Sequence, residues 1–188
     1  MSSQKAVFFD RDGTIIEEKK YLFCIDDVVV FADVLQALRL LKDNGYLLIM
    51  VSNQSGVARG YFDINDVHKV NNYINNLLKK EGVEFDGIYF CPHHPQGIIS
   101  DLSYECKCRK PHIKMALDAA SDFNLALDES YMVGDKLSDI NFGHNFGANG
   151  VVHVATGHEM SKNVNAYFSE NLLNAAEWIL QENTRRKK

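Results

Sequence analysis

The stretch Val7-Phe8-Phe9-Asp10-Arg11-Asp12-Gly13-Thr14 is an apolar run that ends in two acids and a glycine. Short apolar runs of this kind are typical of buried strands, which normally end in a turn with one polar residue. Here the carboxylates of Asp10 and Asp12 follow the strand almost side by side and would repel each other without a cation. A divalent ion relieves that repulsion, so the stretch predicts chemistry that uses Mg²⁺. Two solvated acids at a strand-to-turn junction are the alternative.

Apolar runs and amphipathic stretches alternate along the chain. Five runs rich in Val, Ile, Phe and Tyr predict buried parallel strands at residues 6–10, 47–52, 88–91, 131–135 and 151–155. Helices are predicted after the capping residues Asp33 and Asp63 and over residues 112–124 and 172–181. This alternation predicts an α/β fold, a Rossmann-like three-layer sandwich with a parallel sheet. With 188 residues and no internal repeat or linker, we expect one domain spanning residues 1–188.

Composition narrows the classes of partner. The chain is 46% hydrophobic, carries a net charge of −5 and has no long basic run, which disfavours nucleic acid as a partner. A polar start and the absence of any apolar stretch of roughly 20 residues predict a soluble, cytoplasmic protein with no membrane partner. In a reducing compartment the 4 cysteines are metal ligands or buried thiols rather than disulfides. Cys24 lies apart from the others in an apolar context and is predicted to be a packed thiol.

Polar residues follow three of the predicted strands. Asp10 follows the first, Ser52-Asn53-Gln54-Ser55-Gly56 the second, and Gly134-Asp135-Lys136 a later one. The carboxyl ends of parallel strands meet at one edge of the sheet, where ligands bind. Asp10, Asp135 and a backbone carbonyl near Asp12 would supply oxygen ligands for Mg²⁺. Together with the Ser52 hydroxyl, the backbone amides that follow it and the charge of Lys110, this set suits phosphoryl transfer.

These motifs resemble the haloacid dehalogenase superfamily of phosphatases. The resemblance rests on Asp10-x-Asp12-Gly13-Thr14, Ser52, Lys110 and Gly134-Asp135-x-x-x-Asp139. It implies that Asp10 attacks phosphorus and forms an aspartyl-phosphate, and that Asp12 protonates the leaving oxygen and later activates water. It further implies that Ser52 and Lys110 hold the phosphoryl group and that Asp10, Asp12 and Asp135 bind Mg²⁺. Asp139 is expected either to orient a metal-bound water or to act at a helix terminus.

A second cluster combines cysteine and histidine. Cys91-Pro92-His93 and Cys106-Lys107-Cys108 form a C-x-H-x12-C-x-C pattern, and all 3 prolines of the chain lie in or beside this segment. Three thiolates and one imidazole suit tetrahedral Zn²⁺, and a set of four protein ligands predicts a structural role. The predicted zinc ligands are Cys91, His93, Cys106 and Cys108, within a zinc loop of residues 91–108. Since Arg109 and Lys110 follow directly, the metal is expected to fix both cations at the site.

Longer stretches narrow the resemblance. Cys91-Pro92-His93-His94-Pro95-Gln96-Gly97, Ser52 to Gly60 and Tyr131 to Leu137 are similar to the D-glycero-D-manno-heptose-1,7-bisphosphate 7-phosphatase family, which has no cap domain. The resemblance implies removal of the 7-phosphate of a small sugar bisphosphate in nucleotide-activated heptose and lipopolysaccharide core synthesis, by a monomer. The implied substrate-binding residues are Glu18, Lys19, Lys20, Tyr21, Ser52, Asn53, Gln54, Ser55, Arg109, Lys110 and Lys136. Arg109 is expected to bind the second, non-reacting phosphate.

Two segments depart from that family, and three other functions stay open. The family usually has Asp-His-Gly-Tyr where this chain has Glu18-Lys19-Lys20-Tyr21, and Arg-Thr-Gly where it has Ala155-Thr156-Gly157. Both departures concern the preference for one sugar anomer rather than the chemistry. Histidinol-phosphate phosphatase is the nearest alternative, because it shares the catalytic motifs and a shorter zinc loop. A non-catalytic zinc module and a phosphotransferase that uses an alcohol as acceptor are the others.

Overall fold

A computed structural model describes residues 3–158 and 165–185. Its strands are β1 (Lys5–Phe9), β2 (Tyr46–Asn53), β3 (Gly87–Cys91), β4 (Tyr131–Gly134), β5 (Gly150–Val154) and β6 (Tyr167–Ser169). Its α-helices are α1 (Val34–Asp43), α2 (Ile64–Lys80), α3 (Lys114–Phe123), α4 (Leu137–Asn145) and α5 (Leu172–Arg185). Three single turns of 3₁₀-helix lie at Ile25–Asp27, Ser100–Leu102 and Leu127–Glu129. Each of the five predicted strands and four predicted helices is present within a few residues of its expected bounds.

The strands form one parallel sheet in the order β3-β2-β1-β4-β5-β6. This confirms the predicted α/β fold with a parallel sheet. The chain leaves β1 towards β2 on one side of the sheet and later returns to β4 on the other side. A crevice therefore opens between the carboxyl ends of β1 and β4, where ligands bind in sheets of this kind.

Alternate residues of each strand face opposite sides of the sheet. Phe9 packs in a cluster with residues of α1 and α5, including Leu38 and Ile179, whereas Phe8 packs with residues of α3 and α4 on the other face. The ring of Phe8 meets that of Phe142 edge to face, with centroids 6.4 Å apart. Both strand residues are fully buried, and truncating such a phenylalanine to alanine typically costs about 3–5 kcal/mol. Helices on both faces of the sheet make the three layers predicted from the sequence.

The capping prediction is confirmed for α2 and is wrong for α1. The carboxylate of Asp63 accepts the backbone N–H groups of Asn65 and Asp66, and Asp66 in turn accepts the N–H of Asp63, which is a complete capping box on α2. Asp33 precedes α1 as predicted, but its side chain makes no capping bond there. Its Oδ2 accepts the backbone N–H of Leu173 at the start of α5, because α1 and α5 pack together. Within the described residues, no helix is long and apolar enough to cross a membrane.

The connections after β1 and β2 comprise residues 10–33 and 54–63 and lead to α1 and α2. The segment after β1 folds back on itself, since Ile16 bridges both Asp12 and Val30 and its carbonyl accepts the N–H of Gly13. The segment after β2 runs directly into α2. Both segments border the crevice at the carboxyl ends of the strands and lie beside the residues that carry chemistry.

Candidate active site

A cavity of about 650 Å³ lies at the carboxyl ends of β1, β2 and β4. The predicted site residues that line it are Asp10, Asp12, Glu18, Lys20, Tyr21, Asn53, Gln54, Ser55, Arg109, Lys110 and Lys136. Of the other predicted residues, Ser52 and Asp135 are buried beneath this lining and Lys19 is exposed beside it, as far as the described residues define the cavity. The topology therefore brings nearly all of the predicted catalytic and substrate-binding residues to one crevice.

Lys110 is a buried cation shared by two carboxylates. Its Nζ lies 2.7 Å from Oδ1 of Asp10 and 2.7 Å from Oδ1 of Asp139, and it donates to the carbonyl oxygen of Val51 at 2.8 Å. The three charged side chains are at most 5% exposed. Burial alone would raise the pKa of Asp10, but the charges of Lys110 and Lys136 outweigh it and hold that pKa below its ordinary value. Asp10 is thus an ionised carboxylate at the floor of the cavity.

Three carboxylates converge beside that cation. Oxygen atoms of Asp10, Asp135 and Asp139 lie within 4.8 Å of one another, and all three residues are buried. Burial and the neighbouring charge of Asp10 raise the pKa of Asp135 to about 7. Oδ1 of Asp135 is buried and has no hydrogen-bond partner among the described residues. Like-charged oxygens that converge with one acceptor unused fit a hard divalent cation such as Mg²⁺.

The ammonium group of Lys136 lies near the same oxygen atoms of Asp10 and Asp135. Its Nζ lies 3.6 Å from Oδ2 of Asp10 and 3.8 Å from Oδ1 of Asp135, and it donates to the backbone carbonyl of Asp12 at 3.1 Å. These are the three oxygen groups from which the sequence predicts the Mg²⁺ site. Lys136 also pairs with Glu18 at 2.9 Å. A positive charge is therefore favourable among the predicted ligands, and Glu18 offers the lysine a second partner outside them.

Asp12 has different surroundings from the other acids. Its carboxylate accepts two bonds from the Arg11 guanidinium, Nε to Oδ2 at 3.1 Å and Nη2 to Oδ1 at 3.0 Å, and a third from Nε2 of Gln54 at 2.9 Å. Gln54 also donates to the hydroxyl of Ser52 at 2.9 Å. Asp12 thus contributes its main-chain carbonyl, but not its carboxylate, to the group of converging oxygens. That separation matches the role of proton donor expected for it.

The predicted zinc ligands also lie together. Cys91, at the end of β3, has its Sγ 3.4 Å from that of Cys106 and 3.1 Å from that of Cys108, and Nδ1 of His93 lies 3.2 Å from Sγ of Cys108. Tetrahedral ligands about 2.3 Å from a zinc ion would be roughly 3.8 Å apart, so a small expansion admits the ion. Nε2 of His93 lies 2.9 Å from the Tyr104 hydroxyl, which fixes the ring with Nδ1 towards the sulfurs. The four residues form a possible metal site.

One thiol of this cluster is prepared for metal binding. A hydrogen bond with Cys91 and others within the cluster lower the pKa of Cys108 to about 5, while the same bond and burial raise the pKa of Cys91. Thiolates rather than thiols bind metals, so one ligand of the set is already ionised at neutral pH. Cys24 lies apart from the cluster as a free, partly buried cysteine, as predicted.

The cluster of predicted zinc ligands is joined to the active site through the residues that follow it. Asn53 pairs with both backbone groups of Lys110: its Oδ1 accepts the N–H at 3.0 Å and its Nδ2 donates to the carbonyl at 3.1 Å. Arg109 lines the cavity, and its Nη1 is buried without a hydrogen-bond partner among the described residues. Nη2 of Arg59 lies 3.2 Å from a ring nitrogen of His94. Burial and, to a smaller extent, the charges of Arg109 and Arg59 lower the pKa of His94. The end of the zinc loop therefore places positive charge at the cavity.

Curated relatives cover most of the chain. A D-glycero-beta-D-manno-heptose-1,7-bisphosphate 7-phosphatase of Haemophilus ducreyi is 43% identical over 155 residues, 82% of this chain and 85% of that protein. A D-glycero-alpha-D-manno-heptose-1,7-bisphosphate 7-phosphatase of Photorhabdus laumondii is 38% identical over 176 residues, 93% of this chain and 96% of that protein. The chain belongs to the heptose-1,7-bisphosphate 7-phosphatase family. One of these relatives is named for the beta anomer of the sugar and the other for the alpha anomer. Membership of the family therefore does not decide which anomer this chain prefers.

Two further comparisons agree with the assignment to this family. The HAD-hydrolase-like family matches residues 107–175. A solved structure of D,D-heptose 1,7-bisphosphate phosphatase from B. bronchiseptica, complexed with magnesium and phosphate, is 28% identical with a TM-score of 0.81. It covers 95% of this chain and 99% of that one. The predicted superfamily and fold are therefore confirmed, and a heptose bisphosphate phosphatase of the same fold holds magnesium.

This member of the heptose-1,7-bisphosphate 7-phosphatase family has a contact in the loop after β5 that sequence reasoning missed. Nδ1 of His158 lies 2.7 Å from Oδ2 of Asp135, and the backbone N–H of His158 donates to the same oxygen at 3.0 Å. A side chain at Gly157 would collide with Asp135, so glycine is required for this close approach. His158 lies in the loop after β5, where no periodic pattern points to it. The only available signal was its place beyond the carboxyl end of a parallel strand.

Asp139 and Tyr21 complete the site of this family member. Asp139 acts at a helix terminus, one of the two roles expected for it, because its Oδ2 accepts the N–H of Lys136 at the start of α4. Its Oδ1 also lies 2.7 Å from Nζ of Lys110, a partner that the sequence did not indicate. Tyr21 has a left-handed backbone with φ of 66°, and its ring meets that of Tyr61 with centroids 4.6 Å apart. A non-glycine residue in this conformation is strained and is typical of functional segments. The two tyrosines form an aromatic pair beside the cavity.

Proposed function

We propose that this protein hydrolyses the 7-phosphate of D-glycero-D-manno-heptose 1,7-bisphosphate through an aspartyl-phosphate intermediate and leaves the 1-phosphate in place. The observation that carries the proposal is the ionised, buried Asp10 between Lys110 and Lys136 at the floor of the cavity. Curated relatives named for this reaction support the substrate, and the histidinol-phosphate alternative is not favoured. The pathway implied is the synthesis of nucleotide-activated heptose.

Asp10 and Asp12 divide the reaction between them. A carboxylate oxygen of Asp10 attacks phosphorus while the bond from phosphorus to the sugar oxygen breaks. The carboxyl group of Asp12 gives its proton to that leaving oxygen, and the resulting carboxylate then takes a proton from the water that attacks the aspartyl-phosphate. This second attack restores Asp10 and releases inorganic phosphate.

Positive charge at the floor of the site stabilises the transferring phosphoryl group. Lys110 is held by Asp10 and Asp139, so its ammonium is already in position before the substrate arrives. The Ser52 hydroxyl donates a further hydrogen bond to the phosphoryl oxygens. The carboxylates of Asp10 and Asp135 and the carbonyl of Asp12 would hold Mg²⁺, which when bound neutralises phosphoryl charge.

The rest of the substrate is bound by residues that surround the floor. The guanidinium of Arg109 matches the oxygens of the 1-phosphate, and its buried, unpaired Nη1 is available for them. Lys136, which pairs with Glu18, would contact the sugar phosphate. The remaining contacts to the sugar come from Lys19, Lys20, Tyr21, Asn53, Gln54 and Ser55. The positive and polar lining suits a small doubly phosphorylated sugar rather than an apolar ligand.

The zinc loop has a structural part in this function. With Cys91, His93, Cys106 and Cys108 as a full tetrahedral set, bound zinc closes residues 91–108 and holds Arg109 next to its last ligand. Residues 1–188 act as one monomeric domain around the single sheet.

The test is phosphate release, with Mg²⁺ present, from the α and β anomers of heptose 1,7-bisphosphate and from histidinol phosphate. Asp10→Asn serves as the blank. We expect hydrolysis of one or both heptose anomers with the 1-phosphate intact, as read by phosphorus NMR of the product. Equal or faster hydrolysis of histidinol phosphate, or loss of the 1-phosphate, would overturn the proposed substrate.

A further inference from the structure

Arg11, between the two motif acids, is buried and donates four hydrogen bonds. The residue is 1% exposed, although arginine is seldom buried unless it is paired. Its Nη1 donates to Oδ1 of Asn71 at 2.9 Å, and its Nη2 donates to Oε1 of Gln54 at 3.1 Å as well as to Asp12. Asn71 is a buried residue of α2, and Gln54 follows β2. Two separate elements of the fold therefore orient one guanidinium.

That orientation is transmitted to Asp12. The fork of Nε and Nη2 meets both oxygens of the Asp12 carboxylate, at 3.1 and 3.0 Å, from the neighbouring residue of the chain. A bidentate pair fixes the plane of the carboxylate as well as its distance. Gln54 adds a bond to Oδ2 and ties the same unit to Ser52. If Arg11 served only to attach α2 to the segment after β1, its hydrogen bond to Asn71 would be sufficient. The additional bonds to Asp12 and Gln54 would then have no purpose.

We propose that Arg11 is a positioning residue for the proton transfers of Asp12. Anchored by Asn71, it holds the Asp12 carboxyl in one plane and at one place above the phosphoryl site. As the bond from phosphorus to the leaving oxygen breaks, the Asp12 proton moves to that oxygen, and Arg11 pairs with the carboxylate that remains. The role of Asp12 rests on the proposed function, whereas the assignment of Arg11 depends on general acid catalysis of phosphate ester cleavage and not on heptose.

A leaving-group series separates positioning from a structural role. Single-turnover rates of phenol release from wild type and Arg11→Met are measured with phenyl phosphates of increasing phenol acidity, up to p-nitrophenyl phosphate. An acidic phenol leaves without a proton, whereas phenol itself needs one. We expect Arg11→Met to slow cleavage of phenyl phosphate about 100-fold and that of p-nitrophenyl phosphate less than about 5-fold, as removal of a general acid does. Asp12→Asn should give the same steep dependence on phenol acidity.

Two further variants complete the test. Asn71→Ala removes only the anchor of Nη1 and is expected to show the same selective effect at about a tenth of its size, together with a native circular dichroism spectrum. Arg39→Met removes an exposed arginine of α1 and should match wild type across the series. Equal slowing of every ester by Arg11→Met, or unchanged rates, would overturn the proposal. Hydrolysis of the heptose bisphosphate is measured separately, so failure of the proposed substrate is recognised independently.

Discussion

Replacing Lys110 by methionine removes a cation that two buried carboxylates share. Methionine keeps the apolar stem, so the change isolates the charge. Asp10 and Asp139 each lie 2.7 Å from the ammonium, and their side chains are 5% and 0% exposed. Breaking one buried ion pair from one side costs about 3–5 kcal/mol, because an uncompensated charge stays buried. With two partners affected, we expect the free energy of unfolding to fall by about 4–5 kcal/mol at pH 8 without Mg²⁺.

The loss should shrink in acid. Without Lys110, the pKa of Asp10 rises above the unfolded value, and the pKa of Asp139, which burial already raises, rises further. The folded variant then binds more protons than the unfolded chain. Stability then decreases as the pH rises, and the difference from wild type grows from pH 5 to pH 8. In the Lys110→Met variant, the second change Asp139→Asn removes one of the two buried charges. It should recover about 2 kcal/mol of the lost free energy of unfolding.

Urea unfolding at pH 5 and pH 8, followed by circular dichroism, measures these differences. Lys114→Met is the matched control, because Lys114 makes an exposed pair with Asp118 that is worth only about 0.3–0.5 kcal/mol. A loss below about 1 kcal/mol at pH 8, or a loss of equal size at both pH values, would refute the reasoning.

Three other outcomes are expected. Asp10→Asn should abolish phosphate release, and wild-type activity in that variant would exclude the covalent route. Cys106→Ser should lower the zinc content, the melting temperature and the activity together, since structural zinc contributes folding free energy; full activity without zinc would contradict the role given to the loop. Because only ionised Asp135 binds a cation and its pKa is about 7, Mg²⁺ affinity measured by calorimetry should rise about tenfold from pH 6 to pH 8. Equal affinities at the two pH values would contradict that ionisation.

The sheet was predictable where strands are buried. β1 and β2 are continuous apolar runs, and their patterns identified both strands to within one residue. β6 was missed because it is 3 residues long and its Phe168 is 60% exposed, so no apolar run marks it. α4 was missed because it starts directly after Lys136, which is not a usual N-cap residue, and contains Gly143.

Some residues of the site were also predictable from the sequence, and others were not. Asp10, Asp135 and Lys110 were predictable because strand ends and motif spacing bring them to one edge. Arg11 was missed because an arginine between two acids is usually solvated, and its burial depends on Asn71, which is 60 residues away in sequence. This contact follows from the packing of α2 against the segment after β1. Sequence periodicity does not specify that packing.

The reciprocal amide pair between Asn53 and Lys110 bears on how this enzyme family can change. It fixes the backbone of the lysine to the sheet independently of the path taken by the preceding loop. Ile98, in the outer part of that loop, is 77% exposed, and this part carries none of the four predicted zinc ligands. Residues can therefore be inserted or removed there while Lys110 keeps its place, which leaves the loop free to evolve new contacts at the cavity.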